Sequence, residues 1–196
     1  AAFVDSRMGI IKPNDIVDKK LESLTISTFA ELDEICNPDT ILASNTSSIS
    51  INDIAASTSR PNKVIGMHFM NPVPIMKLIE VINGSDTDED VTKAVLAASE
   101  RMGKTPLCCN DSPGFIGNRL GIYFVQRAIA AALDYGFTVE QTDAMLGRPI
   151  GLPKTAVFGL MDLVGIDLVP QVVNSMVENL PSTDPLHKIA GKGQEI

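Results

Sequence analysis

The run Lys77-Leu78-Ile79-Glu80-Val81-Ile82 does most to restrict how this chain can fold. Aliphatic residues fill both alternating sets of positions, so a strand formed here has no face to give to water and must be covered on both sides. Its single acid, Glu80, then needs a partner, because an unpaired buried charge is prohibitively costly. Two partners are open. One is a lysine such as Lys77; the other is His68, in the segment Gly66-Met67-His68-Phe69-Met70-Asn71-Pro72-Val73-Pro74. A histidine among apolar neighbours is more often a hydrogen-bonded structural residue than a catalytic one. A histidine at a strand end, however, followed by a proline-bounded turn and a second strand with one acid, is how a fold sets a general base beside the carboxylate that orients it. Such a pair is built to move protons at neutral pH.

The pattern around this segment predicts an α/β layer with a largely parallel sheet, since helical and short apolar stretches alternate from Thr28 to Asn110. Helices are expected over 29–35, from Asn52 or Asp53 to just before Arg60-Pro61, and from Asp86 or Thr87 to Met102, the last closed by Gly103. Strands are expected over 40–43, 63–69, 77–82 and 105–109. Past Asn110-Asp111-Ser112-Pro113-Gly114 the pattern becomes helical throughout, with helices over 115–135, 139–146, 158–164 and 168–180. Two domains follow, residues 1–111 and 112–196.

Composition excludes several classes. The net charge of −8 and the lack of any lysine or arginine cluster argue against nucleic-acid binding. No apolar run approaches the roughly 18 residues of a membrane span. Cys36, Cys108 and Cys109 make neither a metal-ligand spacing nor an even disulfide set, and read as reduced core residues; no metal is expected. Residues 1–7 lack the layout of a secretory signal, so a cytoplasmic (bacterial) or organellar matrix location is expected.

In open α/β sheets, ligands bind beyond the carboxyl ends of the strands. Three polar segments are expected there: the turn Asn45-Thr46-Ser47-Ser48, the His68 turn, and Asp111-Ser112-Pro113-Gly114-Phe115-Ile116-Gly117-Asn118-Arg119. Helix capping alone would account for the first. Asn118 fits a solvated helix position as well as a hydrogen bond to a carbonyl.

These motifs, in this order, resemble the 3-hydroxyacyl-CoA dehydrogenase family over residues 29–167. The resemblance rests on Ala43-Ser44-Asn45-Thr46-Ser47-Ser48, Gly66-Met67-His68-Phe69-Met70-Asn71-Pro72-Val73, Leu78-Ile79-Glu80-Val81-Ile82, the Asp111 to Arg119 segment, and Leu160-Met161-Asp162-Leu163-Val164-Gly165-Ile166-Asp167. It implies a partial Rossmann-type nucleotide-binding domain followed by an all-helical C-terminal domain, the latter able to form a homodimer. It implies NAD as cofactor and an acyl-CoA as substrate, with oxidation of L-3-hydroxyacyl-CoA to 3-oxoacyl-CoA in fatty-acid β-oxidation. His68 would be the catalytic base, Glu80 its orienting acid, Ser47 a hydroxyl bonding the substrate oxygen, and Asn118 an amide positioning the substrate. Asn45, Ser47 and Asn71 would lie at the nicotinamide end of NAD. An imidazole, which ordinarily titrates near 6.5, suits the proton transfer. The version Gly147-Arg148-Pro149-Ile150-Gly151-Leu152-Pro153-Lys154 is similar to that of long fatty-acid oxidation proteins that also carry an enoyl-CoA hydratase domain.

The match stops at the N-terminal side. Family members open with a strand and a Gly-x-Gly-x-x-Gly turn for the pyrophosphate, and this sequence contains no such turn. Residues 1–24 do not align with the family, although Asp15-Ile16-Val17 reads as a remnant of a strand. The expectation is a fragment, with more protein following Gly193-Gln194-Glu195-Ile196, that binds NAD weakly by itself. A catalytically silent dimerisation or acyl-CoA-binding module is the alternative. A different β-hydroxyacid dehydrogenase is disfavoured, because those enzymes resemble one another in using a lysine where His68 and Glu80 stand here.

Overall fold

A computed structural model of the chain describes residues 19–166 and 168–190. The expected strand remnant at Asp15-Ile16-Val17, the closing Asp167 of the last motif and the stretch 193–196 lie outside the described residues. The chain divides into two compact units, Ala1–Gly117 and Asn118–Ile196.

The first unit holds helix α1 (Lys19–Ile35), strand β1 (Leu42–Ser44), helix α2 (Ile51–Ala56), strands β2 (Val64–Phe69) and β3 (Leu78–Asn83), helix α3 (Glu89–Arg101) and strand β4 (Thr105–Asn110). The strands form one sheet in the order β1-β2-β3-β4. Helix α1 starts well before the expected 29. Its Thr25-Ile26-Ser27-Thr28 stretch stays helical because Ser27 Oγ and Thr28 Oγ1 donate back to the carbonyl of Leu24, at 3.0 and 2.7 Å, which spares the backbone their competition. At the other end of α1, the Arg60 guanidinium closes the helix by donating to the Cys36 and Asn37 carbonyls and pairing with Asp33.

Both faces of β2 and β3 are covered, as the aliphatic run requires. Val64 and Ile82 pack on one side with Phe29, Leu42, Ile51 and Ile54. Ile65, Met67, Ile79 and Val81 pack on the other with Val91 and Val95 of α3. Gly66 is needed between β2 and this first layer. A Cβ there would lie 2.8 Å from Ile82 Cβ and 3.0 Å from Ile51 Cδ1, closer than packed carbon atoms tolerate.

The sheet is mixed rather than simply parallel. β1 pairs with β2 and β3 with β4 in parallel, but β2 and β3 are antiparallel. The short connection over 70–77 is the reason, because a parallel pair needs a crossover of a dozen or more residues. A consequence is that β4 runs opposite to β2, and its last residue, Asn110, aligns with Asn83 and through it with Ile65 at the start of β2. The Asp111 segment therefore leaves the sheet at the end away from His68 and turns back, so that its later residues Ile116 and Gly117 reach Glu80. At the exit the Asp111 carboxylate accepts from Ser50 Oγ, Asn52 N and Asn52 Nδ2 at 2.7 to 2.9 Å, securing the start of α2.

The cysteines also differ from expectation. All three are free, but only Cys109 is buried, and Cys108 is exposed. Of β4 only Cys109 is buried, and neighbouring residues such as Leu107 and Cys108 are both exposed, because neither face of this strand is fully covered.

The second unit contains helices α4 (Gly117–Tyr135, its first residue shared with the first unit), α5 (Val139–Leu146), α6 (Phe158–Val164) and α7 (Leu168–Asn179). Thr138 and Gln141 form a reciprocal capping box at α5. Val125, Ala128, Ile129 and Val157 make one core cluster, and Met176, Leu180, Leu186 and Ile189 another. Among the described residues no single helix is long and apolar enough to cross a membrane.

Candidate active site

The β2–β3 register puts His68 directly opposite Glu80. In an antiparallel pair, opposed residues point to the same face with Cβ atoms only about 5 Å apart, so the hairpin alone brings the two side chains together. His68 Nδ1 lies 2.7 Å from Glu80 Oε2. Glu80 is completely buried and His68 is 7% exposed, so the pair is shielded from competing water on nearly all sides.

The carboxylate has two further donors. The backbone amides of Ile116 and Gly117 donate to Glu80 Oε1 at 2.8 and 2.7 Å. Amides can only donate, so Oε1 is wholly an acceptor. With Glu80 ionised and the imidazole neutral, Oε2 accepts from Nδ1–H of His68 and the lone pair is left on Nε2. The arrangement makes Nε2 a proton acceptor backed by a negative charge. Lys77, the other partner open to Glu80 from the sequence, is not among these contacts.

The turn after β1 is the second part of the site. Asn45 Oδ1 accepts from the backbone N of Phe69, 2.9 Å away, which ties the turn to the residue next to His68 and leaves the Asn45 Nδ2 donor for other partners. Thr46 shapes the turn by accepting from Ser48 N and Ile49 N. Ser47 is half-buried, and its hydroxyl makes no hydrogen bond among the described residues. Asn71 is exposed in the connection between β2 and β3, next to Pro72 in a cis peptide.

The structure thus brings together His68, Glu80 and Asn45 through direct contacts or adjacency in the first unit. Ser47 and Asn71 lie on the two flanking turns. Asn118 belongs to the second unit as the second residue of α4, one position beyond the Gly117 amide. Sequence reasoning missed the two amides on Glu80. The sign that could have found them is the glycine-flanked pair Gly114 to Gly117 just ahead of a helical pattern, since a helix start offers unpaired N–H groups to an anion.

Burial pushes the Cys109 thiol up to about 12, helped by the negative charges of Glu80, Cys108 and Asp111. A thiol so raised stays protonated at neutral pH and is a poor nucleophile.

A pocket of about 720 Å³ lies wholly within the second unit, lined by residues that include Gln126, Phe158, Met161 and Val173. None of the candidate residues lines it.

Comparison with known proteins matches residues 17–112 to the 3-hydroxyacyl-CoA dehydrogenase NAD binding domain and residues 114–191 to the 3-hydroxyacyl-CoA dehydrogenase C-terminal domain. The chain is 40% identical over 170 residues, 86% of its length, to a 3-hydroxybutyryl-CoA dehydrogenase of Clostridioides difficile. It is 36% identical over 190 residues, 96% of its length, to the mitochondrial hydroxyacyl-coenzyme A dehydrogenase of Homo sapiens. It spans 60% of each of those two proteins. The crystal structure of an (S)-3-hydroxybutyryl-CoA dehydrogenase from Ralstonia eutropha superposes with a TM-score of 0.78 at 35% identity, over 88% of this chain and 60% of that one.

Proposed function

The chain belongs to the 3-hydroxyacyl-CoA dehydrogenase family, and from that premise we propose that it serves the NAD-dependent oxidation of L-3-hydroxyacyl-CoA to 3-oxoacyl-CoA in fatty-acid β-oxidation. The observation that carries this reading is the buried His68–Glu80 pair, with His68 Nδ1 2.7 Å from Glu80 Oε2 and two backbone amides on Glu80 Oε1.

The residues present fit the nicotinamide end of NAD. Asn45, Ser47 and Asn71 supply amide and hydroxyl groups at the carboxyl ends of two parallel strands, where α/β sheets take their ligands, and Asn45 is tied to the backbone N of Phe69, the residue after His68. NAD bound there supplies the hydride acceptor for the secondary alcohol. His68 Nε2 takes the hydroxyl proton as the substrate carbon loses its hydride, and Glu80 stabilises the imidazolium that results. Ser47 donates its hydroxyl to the substrate oxygen. Asn118 positions the same substrate through its amide.

The test is to incubate the protein with NAD and L- or D-3-hydroxyacyl-CoA of several chain lengths and to follow NADH absorbance. Turnover of the L isomer that falls away in His68→Gln is expected. Acyl-CoA binding without turnover would replace the enzyme by a silent binding module.

A further inference from the structure

We propose that Lys104 is a positioning residue of the site, whose ammonium clamps the connection between β2 and β3 and so holds Asn71 in place. The role of Asn71 at the nicotinamide end of NAD rests on the reading given above.

The connection 70–77 joins the strand of His68 to the strand of Glu80, and its residues 71–76 are exposed. Part of it folds on itself, because the amides of Ile75 and Met76 both donate to the Pro72 carbonyl at 3.0 Å. The carbonyls of Val73 and Met76 go to a single group. Lys104 Nζ donates to Met76 O at 2.8 Å and also to Val73 O. The backbone continues the contact, since Thr105 N donates to the Lys77 carbonyl at 2.7 Å. Residues 104 and 105 thus fasten the connection at 73, 76 and 77.

The register is what lets residue 104 do this. β3 and β4 pair in parallel starting from Leu78 opposite Thr105, so Lys104 lies beside the end of the connection. Its own backbone is fixed, because Lys104 N donates to the Ser99 carbonyl at 3.0 Å just after Gly103, whose φ of 74° closes α3. Ser99 is fully buried. From that rigid base a flexible four-carbon stem carries an ammonium with three donors over the turn.

The choice of partner is a second argument. The chain has 24 acids, and the ammonium groups of Lys63 and Lys93 pair with carboxylates, those of Asp39 and Glu89. Among the described residues Lys104 has no carboxylate partner and bonds two main-chain carbonyls instead. Both carbonyls belong to exposed residues, so water can replace the ammonium on each of them, and the bonds add little to global stability. What water cannot do is tie both to β4. The clamp fixes position, and Asn71, directly before Pro72, is the polar residue whose position it fixes. A turn held in this way meets the cofactor without first having to be ordered. Lys104 acts through the turn and is not itself a catalytic residue.

The experiment compares three variants of the whole chain by amide hydrogen exchange, urea unfolding and steady-state kinetics with NAD and an L-3-hydroxyacyl-CoA. Lys104→Met keeps the stem and removes the donors, and Lys104→Arg keeps charge and donors. Lys63→Met removes a paired lysine at the opposite end of β2. In Lys104→Met the Ile75 and Met76 amides should exchange about tenfold faster or more, with the urea midpoint nearly unchanged. The Asn71 amide signal should shift. KM for NAD should rise about fivefold or more, while kcat stays within about twofold and keeps its pH profile. Lys104→Arg should restore most of the exchange protection and of the KM, and Lys63→Met should behave as the wild type. Wild-type exchange of Ile75 and Met76 in Lys104→Met would overturn the clamp. Faster exchange with an unchanged KM for NAD would overturn the positioning role, as would a loss of kcat in step with a lowered urea midpoint. A chain without turnover would sink the dehydrogenase reading alone. The exchange rates and the Asn71 signal would then decide for Lys104, and an Asn71 signal unmoved in Lys104→Met would refute the proposal.

Discussion

Glu80 and Asp143 meet the same structural problem in the two units and answer it in the same way up to the last bond. Each carboxylate gathers backbone amides from a helix start that follows a left-handed, non-glycine residue, Phe115 for Glu80 and Ala156 for Asp143. Charge near a helix N-terminus is favourable by the dipole and the unpaired N–H groups alike. The difference lies in the second oxygen. Asp143 Oδ2 accepts another amide, that of Gly159, so both oxygens of this carboxylate are bonded to the backbone. Glu80 Oε2 is left to His68. A carboxylate pinned by amides alone is a structural cap; the same cap, one strand away from an imidazole, is the pair to which the proposed function gives acid/base work. What separates them is the β2–β3 register, not the local chemistry of the turn.

The largest expected effect follows from that difference. His68→Gln should lower kcat by about 10²- to 10⁴-fold, the usual share of general-base catalysis, with KM for acyl-CoA little altered. Asp143→Asn should leave kcat within about twofold. Steady-state kinetics of the two variants side by side would break the comparison if both lost kcat to the same degree.

Next in size is a chemical reading of the Glu80 charge. Cys109, with its thiol pushed up to about 12 by burial first and by Glu80 second, should alkylate about 10³-fold more slowly than an ordinary exposed thiol, because only the thiolate reacts. The exposed Cys108 should label first. Glu80→Gln should speed up Cys109 labelling, as followed by mass spectrometry; an unchanged rate would mean that Cys109 does not sense a carboxylate at Glu80.

Stability should also separate the two carboxylates. Glu80→Ala strands two amides and the His68 Nδ1–H in a dry site and should cost about 3 kcal/mol. Asp143→Ala removes a cap that is only half-buried and should cost about 1–2 kcal/mol. Urea unfolding gives both values, and equal losses would dissolve the distinction.

The smallest effect concerns a third amide-bound carboxylate, Asp33. The Ser59 amide, with Arg60 beside it, holds its carboxyl below the usual range. A depressed acid contributes stability above its unfolded-state pKa and loses it as pH falls through the folded value. Asp33→Asn should therefore flatten the acid side of the stability profile below about pH 4, and urea midpoints measured from neutral to acid pH check it. An unchanged slope would remove Asp33 from this group.

Much of this was legible in the residues. The aliphatic run around Glu80 demanded a strand covered on both faces and a partner for its charge, and the strand and helix positions from Thr40 onward follow from apolar spacing with Gly and Pro breaks. Three features were not. Helix α1 runs on through Ser27 and Thr28, because their hydroxyls bond the Leu24 carbonyl, a contact that exists only once the helix does. The antiparallel β2–β3 pairing makes the Asp111 segment leave the sheet at the far end and turn back to Glu80. Cys108 faces solvent because the layers that cover β2 and β3 leave β4 largely bare, a fact of packing rather than of sequence.

The sequence by itself determined that Glu80 would be buried and would need a donor, because alternation and hydrophobicity are local and act over a few residues. Only the tertiary structure decided which donors it received. The Ile116 and Gly117 amides are 36 and 37 positions away, and they reach Glu80 only because the strand order sends β4 back along the sheet and two left-handed residues reverse it. Backbone amides are the same at every position of a chain, so no residue type marks the pair that will bind. Their place is set by the path of the folded backbone.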